Sequence, residues 1–195
     1  MRVPHPLAAG LDDNYTVYHG VHWTHVERSN YAIFGKIDVA IVGPTGKILL
    51  IEQKAGLLAE TPGGLARKYL EQEKNVASRM ARSADALHRR LRQCCKDQAT
   101  FVDSLLCCPD PFASKLAPTT GIDPARIVDA AKKDYLMPIV RAILPESGDV
   151  LPAKEKIHRF PGEILQLVPE ADAVVGAAQT LYTRLSGGLV CWNRA

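Results

Sequence analysis

Long apolar runs are missing from this sequence of 195 residues. No stretch approaches the roughly 18 consecutive apolar residues that a membrane-spanning helix needs. The first residues also lack the basic and then apolar order of a secretory signal. The cysteines are few and odd in number, and they form two adjacent pairs and one single residue, Cys94-Cys95, Cys107-Cys108 and Cys191. Adjacent pairs are a poor disulfide framework, so we expect a cytoplasmic protein with reduced thiols.

Several catalytic motifs are absent as well. Without a Gly-x-Ser-x-Gly motif, the chain gives no support for a covalent serine hydrolase. Without a Gly-x-x-x-x-Gly-Lys-Ser/Thr phosphate loop, any ATPase activity would have to lie outside this chain. The net charge is only +3, so the overall charge is a weak argument for a nucleic-acid partner. The apolar content of 47% is high enough for a hydrophobic core and argues against disorder.

The order of the predicted elements favours an α/β fold with a mixed sheet. A long helix is indicated by apolar residues at spacings of four and three, namely Val76, Met80, Ala84, Leu87 and Leu91. The predicted elements are a strand at 15–24, a hairpin at 30–42 and 47–54, a loop at 55–64, a helix at 65–96, a strand at 100–108, and further helices towards the C-terminus.

The turn of the hairpin predicts its register. Pro44 suits the second position of a type I turn, and Gly46 suits the left-handed residue that follows such a turn in a three-residue loop. This loop pairs Gly43 with Lys47, so that further along the strands Asp38 lies opposite Glu52.

The same register predicts which side chains share a face of the hairpin. Asp38, Glu52 and Lys54 lie on one face, which Ile48 and Leu50 make apolar towards the turn. The other face is formed by Ile37, Val39, Ile41, Leu49 and Ile51. Because both faces are apolar near the turn, we expect the hairpin to be covered on both sides.

Two carboxylates at opposed positions need a compensating charge. Directly opposed residues have Cβ atoms about 4.5–5.5 Å apart, and like charges at that distance destabilise a sheet. A divalent cation with oxygen ligands, Mg²⁺ or Mn²⁺, would compensate Asp38 and Glu52. Lys54 would then orient a water or contact a phosphate, which points to metal-assisted phosphodiester hydrolysis. The alternative is a charge cluster at a solvated strand end, in which Lys54 pairs with Glu52.

The segment GKIDVAIVGPTGKILLIEQKAG, residues 35–56, resembles the nuclease-related domain, NERD, of the PD-(D/E)XK restriction-endonuclease-like superfamily. Members of that family commonly show an Asp in a Glu-Ile-Asp strand, then a Val-Gly-Pro turn, then Ile-Glu-x-Lys. In this sequence Lys36 stands where Glu is frequent. The resemblance implies a restriction-endonuclease-like mixed central sheet flanked by helices. It also implies that Asp38 and Glu52 are metal ligands and that Lys54 is the catalytic lysine.

Further residues take their expected roles from the same resemblance. The family fold usually opens with a helix that carries a metal-binding Glu, whereas the segment before the first strand is short for a helix and offers Asp12 and Asp13. The accessory candidates are Glu27, Gln53, Tyr69 and Gln72. On the helix that follows the Glu-x-Lys strand, the expected DNA phosphate contacts are Arg67, Lys68 and Lys74.

Two later segments, GIDPARIVDA at 121–130 and TRLSGGLVCW at 183–192, are similar to segments of NERD domains joined to a helicase-like ATPase module. The expected organisation is therefore a nuclease-like core at 1–145 and a C-terminal helical extension at 146–195, which leads to a further module. The function expected from the resemblance is Mg²⁺-dependent hydrolysis of DNA. The alternative is a catalytically weak or inactive relative that only binds DNA or a partner.

Overall fold

The strands and helices are described here for residues 7, 10–26, 32–55, 58–61, 64–69, 72–96, 98–108, 121–158 and 190–191 of a computed structural model. The strands are β1 (Thr16–Val26), β2 (Ala32–Val42), β3 (Ile48–Gln53), β4 (Ala59–Thr61), β5 (Gly64–Tyr69), β6 (Gln72–Asn75), β7 (Val102–Cys107), β8 (Ile127–Val128) and β9 (Val190–Cys191). The helices are α1 (Val76–Cys95), α2 (Leu136–Ile143) and α3 (Lys154–His158), together with short 3-10 helices at Pro124–Arg126 and Ala130–Tyr135.

The central sheet is mixed. Its strand order is β8-β7-β3-β2-β1-β9, with β3, β7 and β8 parallel to one another and the other neighbours antiparallel. A second, antiparallel sheet contains β4, β5 and β6 in that order. The predicted α/β class with a mixed sheet is confirmed.

The β2–β3 hairpin has the predicted turn and register. Gly43 N–H donates to Lys47 O at 2.9 Å, and Gly46 adopts a φ of +84°, so the loop contains three residues. The register pairs Val42 with Ile48 and continues to Val39 opposite Ile51. The observed pairs end there, one step before Asp38 and Glu52, so the predicted pairing of these two carboxylates stays a prediction.

Both faces of the hairpin are covered. One face packs against α1 through a cluster that includes Ala40, Leu50, Leu87 and Leu91. The opposite face packs against α2 in a second cluster, which also contains Leu7; its members on the hairpin and α2 are Val39, Ile41, Leu49, Ile51, Leu136, Val140, Ile143 and Leu144. The expectation of cover on both sides is confirmed.

Ile37 packs on the face opposite to the predicted one. It belongs to the cluster against α1, together with Val21 and Trp23 of β1. The cause lies in β1, where Gly20 adopts a φ of +69° and interrupts the pairing between His19–Val39 and Val21–Ile37. A glycine in the left-handed region rotates the strand locally. The simple alternation of faces therefore ends at this point.

The predicted helix at 65–96 is wrong over its first third. Residues 64–69 and 72–75 are β5 and β6, and α1 begins only at Val76. Residues 65–74 are mostly good helix formers, but pairing with β4 and within the β5–β6 hairpin overrides that local propensity. Asn75 caps α1, since its side chain accepts a hydrogen bond from Ser78 N–H at 2.8 Å.

Residues 151–158 pack on the turn of the β2–β3 hairpin. Leu151 N–H donates to Thr45 O at 2.9 Å, and His158 Nε2 lies 3.0 Å from Gly43 O. Burial lowers the pKa of His158. The predicted division after residue 145 and the helical extension at 146–195 stay predictions, and residues 159–189 and 192–195 of that extension lie outside the described residues. Within the described ranges, no helix is long and apolar enough to cross a membrane.

Candidate active site at the ends of β3 and β7

Glu52 is the buried charge of this site. It lies near the C-terminal end of β3, beside Leu106 of the parallel strand β7, and its side chain is 5% exposed. Its Oε1 accepts a hydrogen bond from Lys54 Nζ and forms an ion pair with Arg79, whose Nε lies 2.9 Å away. A buried carboxylate needs such partners, because burial of an unpaired charge is very costly.

Burial and neighbouring charges have opposing effects on the pKa of Glu52. Burial raises the pKa of Glu52, and the neighbouring Asp38 carboxylate raises it further. Lys54 and Arg79 lower the pKa of Glu52, but burial outweighs them, so the pKa stays above its ordinary value. The raised pKa of Glu52 therefore reflects the burial of its carboxylate and not an excess of negative charge, since Lys54 and Arg79 match Glu52 and Asp38 in number.

The side chain of Asp38 ends the main-chain hydrogen-bond ladder between β2 and β3. Because Gly43 and Lys47 form a hydrogen-bonded pair, a continued ladder would direct Gln53 N–H to Ile37 O. Asp38 Oδ2 accepts this N–H instead, at 2.9 Å, and Asp38 Oδ1 lies 3.7 Å from Lys36 Nζ. The carboxylate thus lies at the end of β3, next to Glu52.

Lys54 meets Glu52 on the same side of the sheet, as its spacing in the sequence predicted. Its side chain is 12% exposed, and its Nζ contacts both Glu52 Oε1 and, at 3.5 Å, Gln53 O. Its main-chain N–H donates to Cys107 O at 2.9 Å, which ties the end of β3 to β7. A positive group therefore lies between a carboxylate oxygen and a main-chain carbonyl oxygen.

These residues fit a hard divalent cation. Oxygen atoms surround the Lys54 ammonium, and Asp38 supplies a second carboxylate nearby. Mg²⁺ usually keeps several waters and is held by one or two carboxylates together with substrate phosphates. Asp38, Glu52 and the carbonyl of Gln53 are oxygen donors of the kind that this pattern uses.

A small cavity of about 10 Å³ lies beside Glu52, about the space for one water molecule. Its polar lining comes from Glu52, Ser83 and Ser104, and Met80 contributes from α1. Ser83 is buried, and its Oγ accepts a hydrogen bond from Trp23 Nε1 at 3.3 Å. The rest of the lining is apolar and includes Ile37, Leu50 and Ile51, so the cavity beside Glu52 is mainly apolar.

Arg79 is the residue of the site that sequence reasoning missed. No motif of the sequence placed it at the site, yet its Nε contacts the Glu52 carboxylate. The buried residues Val76, Met80 and Ser83 recur at helical spacing, and this spacing places position 79 on the same side of α1. That pattern is the sequence signal for a contact between Arg79 and the sheet. That signal was obscured by the wrong start predicted for the helix.

The expected phosphate contacts lie in the second sheet instead of on a helix. In the β5–β6 pairing, Arg67 is opposite Lys74, and Lys68 is opposite Glu73. Tyr69 and Gln72 form the next pair of the same hairpin. This sheet adjoins the site through a cluster that contains Leu65 of β5, Met80 of α1 and Leu106 of β7.

Asp12 and Asp13, the described acids that could replace a metal-binding glutamate of the first helix, do not reach the site. A helical turn does precede β1, since Leu7 and Gly10 are helical and Leu11 N–H donates to Leu7 O at 3.1 Å. Asp12 and Asp13 are exposed at the start of β1, near the turn end of the sheet, where Thr16 pairs with Val42. Glu27 lies outside the described residues.

No group of three or more His, Cys, Asp or Glu side chains in the described parts of the chain could hold a metal ion. The candidate site therefore depends on two carboxylates. Comparison with known proteins gives no match to a family model, to a curated protein or to a solved structure.

Proposed function

We propose that this chain is a metal-dependent nuclease domain of restriction-endonuclease-like fold, related to NERD domains, that hydrolyses DNA phosphodiester bonds. The observation that carries the proposal is the meeting of Asp38, Glu52 and Lys54 at the end of one hairpin, with Glu52 buried and its pKa raised. In a longer protein the domain would act together with a helicase-like ATPase module. That part of the proposal rests on the sequence resemblance alone.

Each residue of the site has a distinct task in this proposal. Asp38 and Glu52 would hold the cation, and the carbonyl of Gln53 adds a third oxygen. A bound Mg²⁺ or Mn²⁺ would lower the pKa of a coordinated water and polarise the phosphate. Lys54 would position that water or donate to a phosphate oxygen as negative charge develops. The buried setting strengthens these interactions, because the local dielectric is low.

The decisive test is a cleavage assay. Linear, circular and single-stranded DNA are incubated with the wild type in Mg²⁺ or Mn²⁺, beside Lys54→Ala and Asp38→Ala. We expect cleavage by the wild type and a loss of at least about 100-fold in both variants. Lys47→Ala is the matched control, because Lys47 stacks 5.3 Å from the ring of Phe101 and does not contact the site. Cleavage that survives both site substitutions would come from a contaminant.

A second candidate function is a nuclease-derived module that only binds DNA or a protein partner. The observation that favours it is that both carboxylates already have partners within the chain. Glu52 forms ion pairs with Lys54 and Arg79, and Asp38 accepts a hydrogen bond from Gln53 N–H. If the wild type and Lys54→Ala are equally inert while both bind DNA, this second function replaces the first.

A further inference from the structure

Arg79 connects the buried carboxylate of Glu52 with the surface of the molecule. Its Nε lies 2.9 Å from Glu52 Oε1 in an ion pair, yet its side chain is 43% exposed, whereas that of Glu52 is 5% exposed. Among the residues that the structure describes, Glu52 is the polar partner of this guanidinium. One edge of the planar group is therefore committed to the site, and the other N–H groups remain for a ligand from solvent.

Two cations share a single oxygen of Glu52. Lys54 donates a hydrogen bond to Oε1 and Arg79 forms an ion pair with the same oxygen, and an oxygen in this state is a poor ligand for a divalent cation. For a metal to bind Oε1, one of the two must give way. Lys54 is 12% exposed and is also in contact with Gln53 O, whereas Arg79 is the more exposed group. Return to water therefore costs Arg79 less, and Arg79 is the partner that leaves.

A phosphate group is a suitable new binding partner for the released guanidinium of Arg79. Its fork of N–H donors matches a phosphate group in a bidentate arrangement, and such charge-assisted bonds are among the stronger ones in proteins. The exchange also balances charge, because Arg79 moves from one anion to another while the metal takes its place at Glu52.

We propose that Arg79 couples the binding of a DNA backbone phosphate to the binding of the divalent cation at Glu52. Without DNA, Arg79 holds the carboxylate and weakens cation binding. With DNA bound, Arg79 moves to a phosphate and leaves Glu52 free for the metal. This inference rests on the proposed function and makes Arg79 a positioning residue that acts through Glu52.

The test measures Mn²⁺ affinity from the electron paramagnetic resonance signal of free Mn²⁺, without DNA and with a short duplex of cleavage-resistant phosphorothioate backbone. The proteins are the wild type, Arg79→Gln and Arg82→Gln. Arg82 is the matched control, because it is exposed one turn nearer the middle of α1 and its Nε bonds to Ser78 O at 3.3 Å. Arg79→Met, which keeps the aliphatic stem, is the second variant should Arg79→Gln fold poorly.

Without DNA, we expect Arg79→Gln to bind Mn²⁺ roughly two- to fivefold more tightly than the wild type, in line with the loss of one partly exposed ion pair. Arg82→Gln should bind it as the wild type does. The duplex should tighten Mn²⁺ binding to the wild type and to Arg82→Gln more than to Arg79→Gln.

Equal effects of the two arginine substitutions, or weaker binding by Arg79→Gln, would overturn the coupling while the nuclease proposal stands. A wild type that binds no Mn²⁺ with or without DNA would instead refute the proposed metal site itself. Both failures are therefore distinguishable.

Discussion

Gln53 donates its main-chain N–H to the Asp38 carboxylate at 2.9 Å, at the point where the β2–β3 ladder stops. Asp38 therefore has a structural task besides any metal-binding one, and two substitutions separate the tasks. Asp38→Asn keeps an oxygen acceptor for Gln53 N–H, whereas Asp38→Ala leaves that N–H without it. We expect Asp38→Ala to lower the free energy of unfolding in urea by about 1–2 kcal/mol and Asp38→Asn to lower it less.

The same pair of variants tests the chemical task of Asp38. An amide is a weaker ligand than a carboxylate for Mg²⁺, so both variants should lose divalent-cation-dependent cleavage. Full cleavage by Asp38→Asn would show that the charge of Asp38 is not needed, and would remove this residue from the metal site.

The raised pKa of Glu52 predicts a dependence of stability on pH. The folded state binds the proton of Glu52 more tightly than the unfolded state, whose pKa is near 4.5. Its contribution to stability is therefore present below pH 4.5 and is lost as the pH rises through the higher folded pKa. Glu52→Gln removes this dependence, so the unfolding free energy of the variant relative to that of the wild type should increase from acidic to neutral pH.

Urea denaturation at a series of pH values measures this difference. Glu155→Gln is the control, because Glu155 is exposed on α3. A difference between Glu52→Gln and the wild type that stays constant with pH would mean that Glu52 titrates alike in the folded and unfolded states.

The lowered pKa of His158 predicts the opposite dependence of stability on pH. Its folded pKa is lowered from 6.5, mainly because the ring is partly buried against the turn, where Nε2 lies 3.0 Å from Gly43 O. The unfolded state then binds the proton more tightly, so the wild type should lose stability as the pH falls below about 6.5. His158→Gln should cost about 1 kcal/mol at pH 8, for the lost hydrogen bond, and show a weaker decline on acidification. An equally steep decline in the variant would assign the effect to other groups.

Replacement of Gly20 is expected to lower stability through the backbone conformation at this position. Its φ is +69°, and a Cβ added there would meet Lys36 Cε at 3.7 Å, which is an ordinary contact. The cost of Gly20→Ala is therefore one of backbone conformation, about 1–2 kcal/mol in the free energy of unfolding. Gly20→Asn should cost less, since asparagine tolerates the left-handed region better. Equal losses for the two variants would point to a steric cause instead.

The β2–β3 hairpin was determined by local sequence. Pro44 and Gly46 fix the geometry of a three-residue turn, and the period of two along a strand carries that geometry outwards as far as Val39 and Ile51. Every step of this prediction depends on residues close in the chain, so no knowledge of the rest of the molecule was needed.

Other features depended on contacts that no local pattern contains. Residues 65–75 have a composition suited to a helix, but strand pairing decides their conformation. Ile37 changes face because Gly20, on the neighbouring strand, rotates β1. The meeting of Arg79 with Glu52 follows from the packing of α1 on the sheet. The sequence by itself determined which charges share the hairpin, whereas the tertiary structure decided which cations hold the buried carboxylate, because that contact is made by non-local packing.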